Sequence, residues 1–198
     1  MWVLLAVLGR SAPASQESRQ ADQASLARIA EGDQHALAEL YDRHARLVFS
    51  LAVRILRERA DAEDVVQDVF AQVWSQAGRY DPGRGAVAAW MLTLARSRAI
   101  DRLRARRARP ESAADSGAAD SLADPAAMQD LDLLAAEQVE RLRRALDQLP
   151  EPQRVALDLA YYEGLTHAEI AARLAEPLGT IKTRIRQAVI KLRESLSQ

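Results

Sequence analysis

The sequence predicts an all-α fold of two small helical domains joined by an acidic flexible linker. Apolar residues recur at three- and four-residue steps over most of the chain from Ser25, and a capping box and a proline mark helix boundaries near the C-terminus. The charged residues are also segregated into blocks of one sign. The chain has 198 residues, 48% of them hydrophobic and 28% charged, which is enough for one or two globular domains.

The expected organisation is a disordered leader at residues 1–24, a helical domain at 25–109, an acidic linker at 110–137 and a second helical domain at 138–198. The apolar run at 2–8 imitates a signal peptide, but no positive charge precedes it, and a bilayer span needs about 20 residues. We therefore expect a disordered leader or an upstream start codon, with no export and no membrane insertion. The linker carries seven acids and no base from residue 111 to residue 137.

Two amphipathic patterns fill the first half of the first domain. Residues 37–55 keep one apolar face, which predicts a long core helix. Its apolar positions are Leu37, Leu40, Tyr41, His44, Leu47, Val48, Leu51 and Ile55. Residues 61–74 predict a second helix with a buried stripe of Val66, Val69, Phe70, Val73 and Trp74. Its opposite side carries Asp61, Asp64, Asp68 and Gln72.

An arginine-rich helix is predicted to follow. Proline and glycine mark a loop at residues 80–85, and the helix is expected to begin near Val87. Seven arginines and a single acid lie between residues 96 and 109, and Arg98, Arg102, Arg106 and Arg109 share one face. Trp90 is expected to pack in the core because it repeats with Val87, Met91 and Leu94.

The C-terminal segment predicts a helix-turn-helix. Thr166 and Glu169 have the spacing of a capping box, so one helix begins there and is expected to end at Leu174. Pro177 suits the first turn of the next helix, whose buried stripe is predicted to be Leu178, Ile181, Ile185, Val189, Leu192 and Leu196. Its outward face then holds basic and amide side chains with no acid until Glu194, as expected of a helix that enters the DNA major groove.

The composition argues against catalysis. The chain has no cysteine, no glycine-rich phosphate loop and no nucleophile elbow. His35 and His44 lie in or near a core helix and are interpreted as packing residues rather than metal ligands. We therefore expect no enzyme activity, no cofactor, no metal and no small-molecule substrate.

Three blocks in one order resemble the extracytoplasmic-function (ECF) group of bacterial RNA polymerase sigma factors. They are DAEDVVQDVFAQVW at residues 61–74, WMLTLARSRAIDRLR at 90–104, and LPEPQRVALDLAYYEGLTHAEIAARLAEPLGTIKTRIR at 149–186. The resemblance extends from Ser25 to about Leu196 and implies a cytoplasmic transcription initiation factor. Its implied partners are core RNA polymerase, promoter DNA and an anti-sigma factor.

The resemblance also implies roles for particular residues. The −35 promoter element would be bound by Thr180, Lys182, Thr183, Arg184, Arg186, Gln187 and Lys191. The −10 element would be bound by Ser97, Arg98, Asp101, Arg102 and Arg106. The clamp of core polymerase would be bound by Asp61, Asp64, Gln67, Asp68 and Gln72. Arg184 has two further options, because it could instead pair with Glu176 or with a polymerase surface.

Two alternatives remain at the level of the sequence. A free-standing helix-turn-helix regulator would need no polymerase contact and would normally dimerise to bind two half-sites. An ordinary helical hairpin would carry a basic face that is only solvated. The arginine-rich block at 90–104 argues against the first alternative, and the absence of mixed charges on the last helix argues against the second.

Overall fold

The computed structural model describes residues 16–108, 141 and 143–197. Within these ranges the chain forms helices and short connections and no strand, which confirms the predicted all-α class. It divides into two compact units, whose described parts lie within residues 13–131 and 132–198. The predicted linker at 110–137 lies outside the described residues.

The described residues of the first unit form four α-helices, three of which pack around the other one. They are α1 (Gln16–Ala30), α2 (Gln34–Leu56), α3 (Arg59–Gln76) and α4 (Val87–Arg107), with 3-10 turns at Ala77–Arg79 and Pro82–Arg84 between the last two. Because α2 packs against α1, α3 and α4, its apolar side chains form the middle of the core. The fully buried side chains include Leu40, Val48, Leu56, Val65, Val69, Val73, Val87 and Met91.

Side-chain caps define the start of α2 and of α3. The carboxylate of Asp33 accepts hydrogen bonds from the backbone N–H groups of His35 and Ala36, and Glu58 accepts one from Ala60. The Arg28 guanidinium, together with these backbone bonds, lowers the pKa of the Asp33 carboxyl group. Between the two helices Arg57 takes a left-handed conformation with φ of 56°, which ends α2.

The predicted disordered leader is wrong for residues 16–24, which form the first part of α1. Asp22 is buried, and its carboxylate binds Nε of Arg43 at 3.0 Å and Nε2 of His44 at 2.8 Å. Ser25 accepts a further bond from Arg43 at 2.7 Å. Polar contacts hold this half of α1 to α2, and apolar periodicity gives no sign of them. Residues 1–15 lie outside the described residues.

Two aromatic residues assigned to buried stripes are exposed. Tyr41 retains 47% of its accessible surface and Trp74 retains 37%. The ring of Tyr41 lies 4.8 Å from the ring of Phe70 and covers it from the rim of the core. Periodicity tells which residues share a helix face, but not how far the neighbouring helices cover that face.

The second unit is a small helical domain. Residues 143–147 are helical, and they are followed by α5 (Glu151–Tyr161), α6 (His167–Leu174) and α7 (Leu178–Ser197). One cluster of buried residues joins the last three helices: Leu159, Ala160, Ile170 and Ile181, with Val155, Leu165, Ala171, Leu174 and Ile185 packed against it.

The helix-turn-helix boundaries agree with the sequence prediction. Thr166 and Glu169 form a reciprocal capping box, in which Thr166 N–H donates to the Glu169 carboxylate at 2.6 Å. Helix α6 ends at Leu174 and is closed by Ala175, whose φ is 51°, and by a 3.0 Å bond from Glu176 N–H to Ala171 O. Pro177 then precedes α7 directly.

One apolar position of α7 was assigned wrongly. Ile181 and Leu192 are buried, but Leu178 retains 41% of its accessible surface. A three-residue step falls about 60° short of a full helical turn, so Leu178 lies to the side of the line that Ile181 begins. The predicted stripe is otherwise buried or half-buried.

Candidate nucleic-acid interface

The outward face of α7 presents five of the seven predicted −35 residues to solvent. Its core side is fixed by Ile181, Ala188 and Leu192, which are buried. The exposed members of the predicted set are Lys182, Thr183, Arg186, Gln187 and Lys191, whereas Thr180 is half-buried. The Thr183 hydroxyl donates to Gly179 O at 2.9 Å, so its lone pairs remain to accept hydrogen bonds.

Arg184 differs from the other basic residues of α7. It is half-buried, and its Nη1 lies 2.7 Å from Oε1 of Glu176. Of the options left open by the sequence, the structure therefore has Arg184 paired with Glu176. The pair also neutralises a carboxylate close to the start of α7.

Gln187 is held by a residue that was not among the predicted site residues. Nε2 of Gln153, on α5, donates to Oε1 of Gln187 at 3.0 Å. Gln153 and Gln187 are 34 residues apart, and their meeting depends on how α5 packs against α7. No local sequence signal marks Gln153.

In the first unit the predicted core-binding carboxylates face the predicted −10 arginines. Arg102 binds Asp61 at 2.8 Å and also pairs with Asp64. Arg106 lies 3.4 Å from Asp61 and donates to Leu56 O at 3.1 Å. The sequence assigned the two sets to different partners, and the structure brings part of each set together.

The Arg102 guanidinium is stabilised in its charged form. Burial opposes the charge, but the hydrogen bond to Asp61 and the charges of Asp61 and Asp64 outweigh burial and raise the pKa of Arg102. A third arginine joins the same helices, because Arg98 donates to Oε1 of Gln72 at 3.0 Å and 3.2 Å. Several residues predicted to bind phosphate or polymerase thus bind one another in this structure.

The other predicted residues of this unit point to solvent. Gln67 and Asp68 are exposed on α3, and Ser97 and Asp101 are exposed on α4. Asp64 is also largely accessible, with 53% of its side chain exposed. Gln67, Asp68, Ser97 and Asp101 are accessible to a partner without disruption of the α3–α4 bridges, whereas Asp64 is accessible but also pairs with Arg102.

The loop before α4 is tied to that helix by its own side chains. The Tyr80 hydroxyl donates to Gly85 O at 2.7 Å, and the Asp81 carboxylate accepts from Gly83 N–H at 2.9 Å. The Tyr80 ring lies 5.6 Å from the ring of Trp90, which is half-buried. Burial raises the pKa of the Tyr80 hydroxyl, so Tyr80 is a neutral donor.

The described residues show neither of two features that would suggest another function. Within residues 16–108, 141 and 143–197, no group of three or more His, Asp or Glu side chains could hold a metal ion. His44 instead pairs with Asp22, and His35 lies 3.3 Å from the Glu39 carboxylate. No helix in the described part of the chain is long and apolar enough to cross a membrane.

Comparison with known families gives the class of protein. Sigma-70 region 2 matches residues 40–109, and sigma-70 region 4 matches residues 139–192. The chain is 40% identical to the ECF RNA polymerase sigma factor SigK of Mycobacterium bovis over 174 residues, which cover 87% of this chain and 92% of the relative. It is also 40% identical to SigK of Mycolicibacterium vanbaalenii over 173 residues, 87% of this chain and 88% of the relative.

Solved structures are similar as well. One of them is Rhodobacter sphaeroides SigE in complex with the anti-sigma ChrR, with 35% identity, a TM-score of 0.45, and coverage of 89% of this chain and 98% of that chain. From the relatives and the two matched regions, the chain belongs to the ECF RNA polymerase sigma factors. Proteins of this family direct core RNA polymerase to promoters in transcription initiation. A free-standing regulator is not favoured, because region 2 accompanies the helix-turn-helix.

Proposed function

We propose that this chain binds the −35 element through the outward face of α7 and the −10 element through α4 and the preceding loop. The observation that carries the proposal is the single-sign face of α7, where Lys182, Arg186 and Lys191 are exposed and no acid occurs before Glu194. A basic face of this kind gains free energy by neutralising DNA phosphates. The amide and guanidinium groups beside these charges can hydrogen-bond base edges in the major groove.

The core polymerase would bind the exposed side of α3. Gln67 and Asp68 are accessible there, and Asp64 is exposed over half of its side chain. A carboxylate surface favours a basic partner and increases the rate of encounter with it. Asp61, Asp64 and Gln72 are the less direct members of this set, because each is bonded to an arginine of α4.

Arg102 and Arg106 can contact DNA phosphate only when they exchange their partners on α3. Both are held by carboxylates of α3, so their contact with DNA phosphate requires exchange of one anionic partner for another. Arg98 is exposed and gives up only a neutral amide partner. We therefore assign the first phosphate contact of α4 to Arg98, with Ser97 and Asp101 beside it.

The two proposed binding activities correspond to two domains of the chain. Residues 25–109, extended by the helical residues 16–24, form the polymerase and −10 domain, and residues 138–198 form the −35 domain, with 110–137 as the linker. We propose that the protein has no catalytic activity of its own and acts in the cytoplasm, where promoter DNA is found. From the family resemblance, we also propose that an anti-sigma factor controls the protein.

The test is transcription in vitro with purified protein and core RNA polymerase on a library of promoters with randomised −35 and −10 elements. We expect transcripts to start from templates that share both elements, and only when both proteins are present. Specific binding to duplex DNA by a dimer of this protein, with no effect on polymerase, would support the free-standing regulator instead.

A further inference from the structure

Gln153 contacts the proposed reading face of α7 from the neighbouring helix α5. Its Nε2 donates to Oε1 of Gln187 at 3.0 Å. Gln153 is half-buried and its Oε1 is buried with no hydrogen-bond partner among the described residues, whereas Gln187 is exposed. An amide that lies outside the proposed DNA contact surface therefore holds one of the proposed base-reading side chains.

The buried atom of Gln153 determines how the two amides are oriented. If the Gln153 amide were turned over, its NH2 group would occupy the buried position and its N–H donors there would lack acceptors. An unpaired carbonyl oxygen costs less than unpaired N–H donors, since its lone pairs are more often left unsatisfied in proteins. Gln153 therefore remains the donor, and Oε1 of Gln187 remains the acceptor.

We propose that Gln153 determines which base edge Gln187 selects. Because this bond turns the carbonyl oxygen of Gln187 toward α5, its NH2 group is the part left to face DNA, and this group binds acceptors such as guanine O6 and N7 or thymine O4. A paired contact to adenine uses both the oxygen and the nitrogen of a glutamine amide. Gln153 thus disfavours adenine at the base that Gln187 contacts. This inference rests on the proposed function of α7 as the −35 reading helix.

The experiment uses the full chain bound to core polymerase and a promoter library randomised at the −35 element, with sequencing of the bound DNA. The Gln187→Ala variant identifies the base pair at which preference is lost. The Gln153→Leu variant keeps similar volume but removes the donor, and we expect preference for acceptor edges at that base pair to fall about two- to tenfold.

Gln153→Glu gives the sharper result because it reverses the polarity of the contact. The introduced carboxylate only accepts hydrogen bonds, so Gln187 has to turn its NH2 group toward α5 and its oxygen toward DNA. We expect the preference at the same base pair to move to edges that donate, namely adenine N6 or cytosine N4.

Two controls separate this effect from added charge and from misfolding. Gln148→Glu adds the same charge at an exposed residue of the same unit, so it should lower affinity for all sequences without a change in preference. In a Gln187→Ala background, Gln153→Glu should produce no further change in preference, because the two residues act through one contact.

The outcomes distinguish this inference from the function on which it rests. If wild-type holoenzyme selects a −35 sequence and both Gln153 variants select the same sequence, Gln153 does not determine specificity and the proposed function stands. If Gln187→Ala also leaves the selected sequence unchanged, Gln187 is not a base reader. If wild-type holoenzyme selects no −35 sequence, the proposed function fails and this inference fails with it.

Discussion

Arg102 Nε lies 2.8 Å from Oδ1 of Asp61, a residue 41 positions earlier in the chain. The bond joins the arginine-rich helix α4 to the acidic helix α3, and Arg106 approaches the same carboxylate from the next turn. Residues proposed to meet DNA phosphate are thus held by residues proposed to meet polymerase. The two binding activities of this unit are consequently expected to be linked through these charges.

Asp61→Asn tests that link in the free protein. Loss of the carboxylate charge removes one anionic partner from each of Arg102 and Arg106, so we expect tighter binding of a single-stranded −10 oligonucleotide. The slope of log K against log salt should steepen by about one unit for each additional phosphate that an arginine neutralises. Fluorescence anisotropy over a series of salt concentrations measures both quantities. Stability should fall by only about 0–1 kcal/mol, because the pair is partly exposed.

Asp42→Asn is the control for this experiment. Asp42 is exposed on α2, so its substitution removes the same charge from the same unit without touching Arg102. An equal increase in affinity from both variants would show that net charge, rather than release of the arginines, is responsible.

Asp68→Lys tests the proposed polymerase surface. Asp68 is exposed on α3, so its reversal adds repulsion toward a basic partner without breaking the bridges that Asp61 and Asp64 make to Arg102. We expect weaker binding to core polymerase, with the loss larger at low salt, where like charges are least screened. Competition with a labelled sigma factor for core polymerase measures the affinity.

Glu63→Lys is the control for Asp68→Lys, because it makes the same charge reversal on the same helix. Glu63 is exposed on the same helix but outside the predicted stripe, and it pairs with Arg59. Its reversal should leave polymerase affinity almost unchanged. Unchanged affinity in a helical Asp68→Lys protein would place the polymerase contact elsewhere.

Local signals were sufficient to predict the helix-turn-helix. The capping box at Thr166 and the proline at 177 act within one or two turns of the backbone, so their effect can be inferred from spacing alone. The exposed side of α7 follows from the same period, with the exception of Leu178. The all-α class was predictable for the same reason.

Contacts between distant helices were not predictable in this way. The Asp61–Arg102 bond and the Gln153–Gln187 bond depend on how two helices pack, and a single sequence contains no record of that packing. The start of α1 was missed because Asp22 anchors it through charge, which leaves no trace in apolar periodicity. The residues that most change the functional interpretation are therefore polar residues far apart in sequence.

Asp22→Ala tests the anchor of α1. Asp22 is buried, and its carboxylate binds Arg43 Nε and His44 Nε2. Its removal leaves both of these groups without this acceptor. We expect a loss of about 1–3 kcal/mol in the free energy of unfolding. Urea denaturation followed by circular dichroism measures it. Gln20→Ala, an exposed position of α1, should cost far less, and equal losses would mean that Asp22 is no special anchor.

Ala175→Gly tests the turn between α6 and α7. A left-handed conformation costs a residue with a side chain about 1–2 kcal/mol, and glycine avoids that cost. Glycine also has more conformational freedom in the unfolded chain, which lowers the free energy of unfolding by about 0.4–1 kcal/mol. We expect a net increase of about 0.5–1 kcal/mol in stability. Thermal unfolding measures the change. The comparison variant Ala172→Gly, in the helical and exposed part of α6, should instead lose about 1 kcal/mol.

Arg186→Ala tests whether the outward face of α7 reads bases. Arg186 is exposed and lies one turn beyond Lys182 and Thr183, and a guanidinium can form two hydrogen bonds to one guanine. We expect a cost of about 1–3 kcal/mol in binding of the preferred −35 sequence and a relaxed preference at one base pair. Selection by holoenzyme from a randomised −35 library measures both.

Lys191→Ala provides the contrast, because Lys191 lies further along the same helix and is expected to meet phosphate. Its loss should weaken binding to all sequences alike and lower the salt slope by about one unit. If Arg186→Ala behaves in the same way, with reduced affinity and an unchanged preference, Arg186 is a phosphate anchor. The base contacts would then have to come from Gln187 and the threonines on the same side of α7.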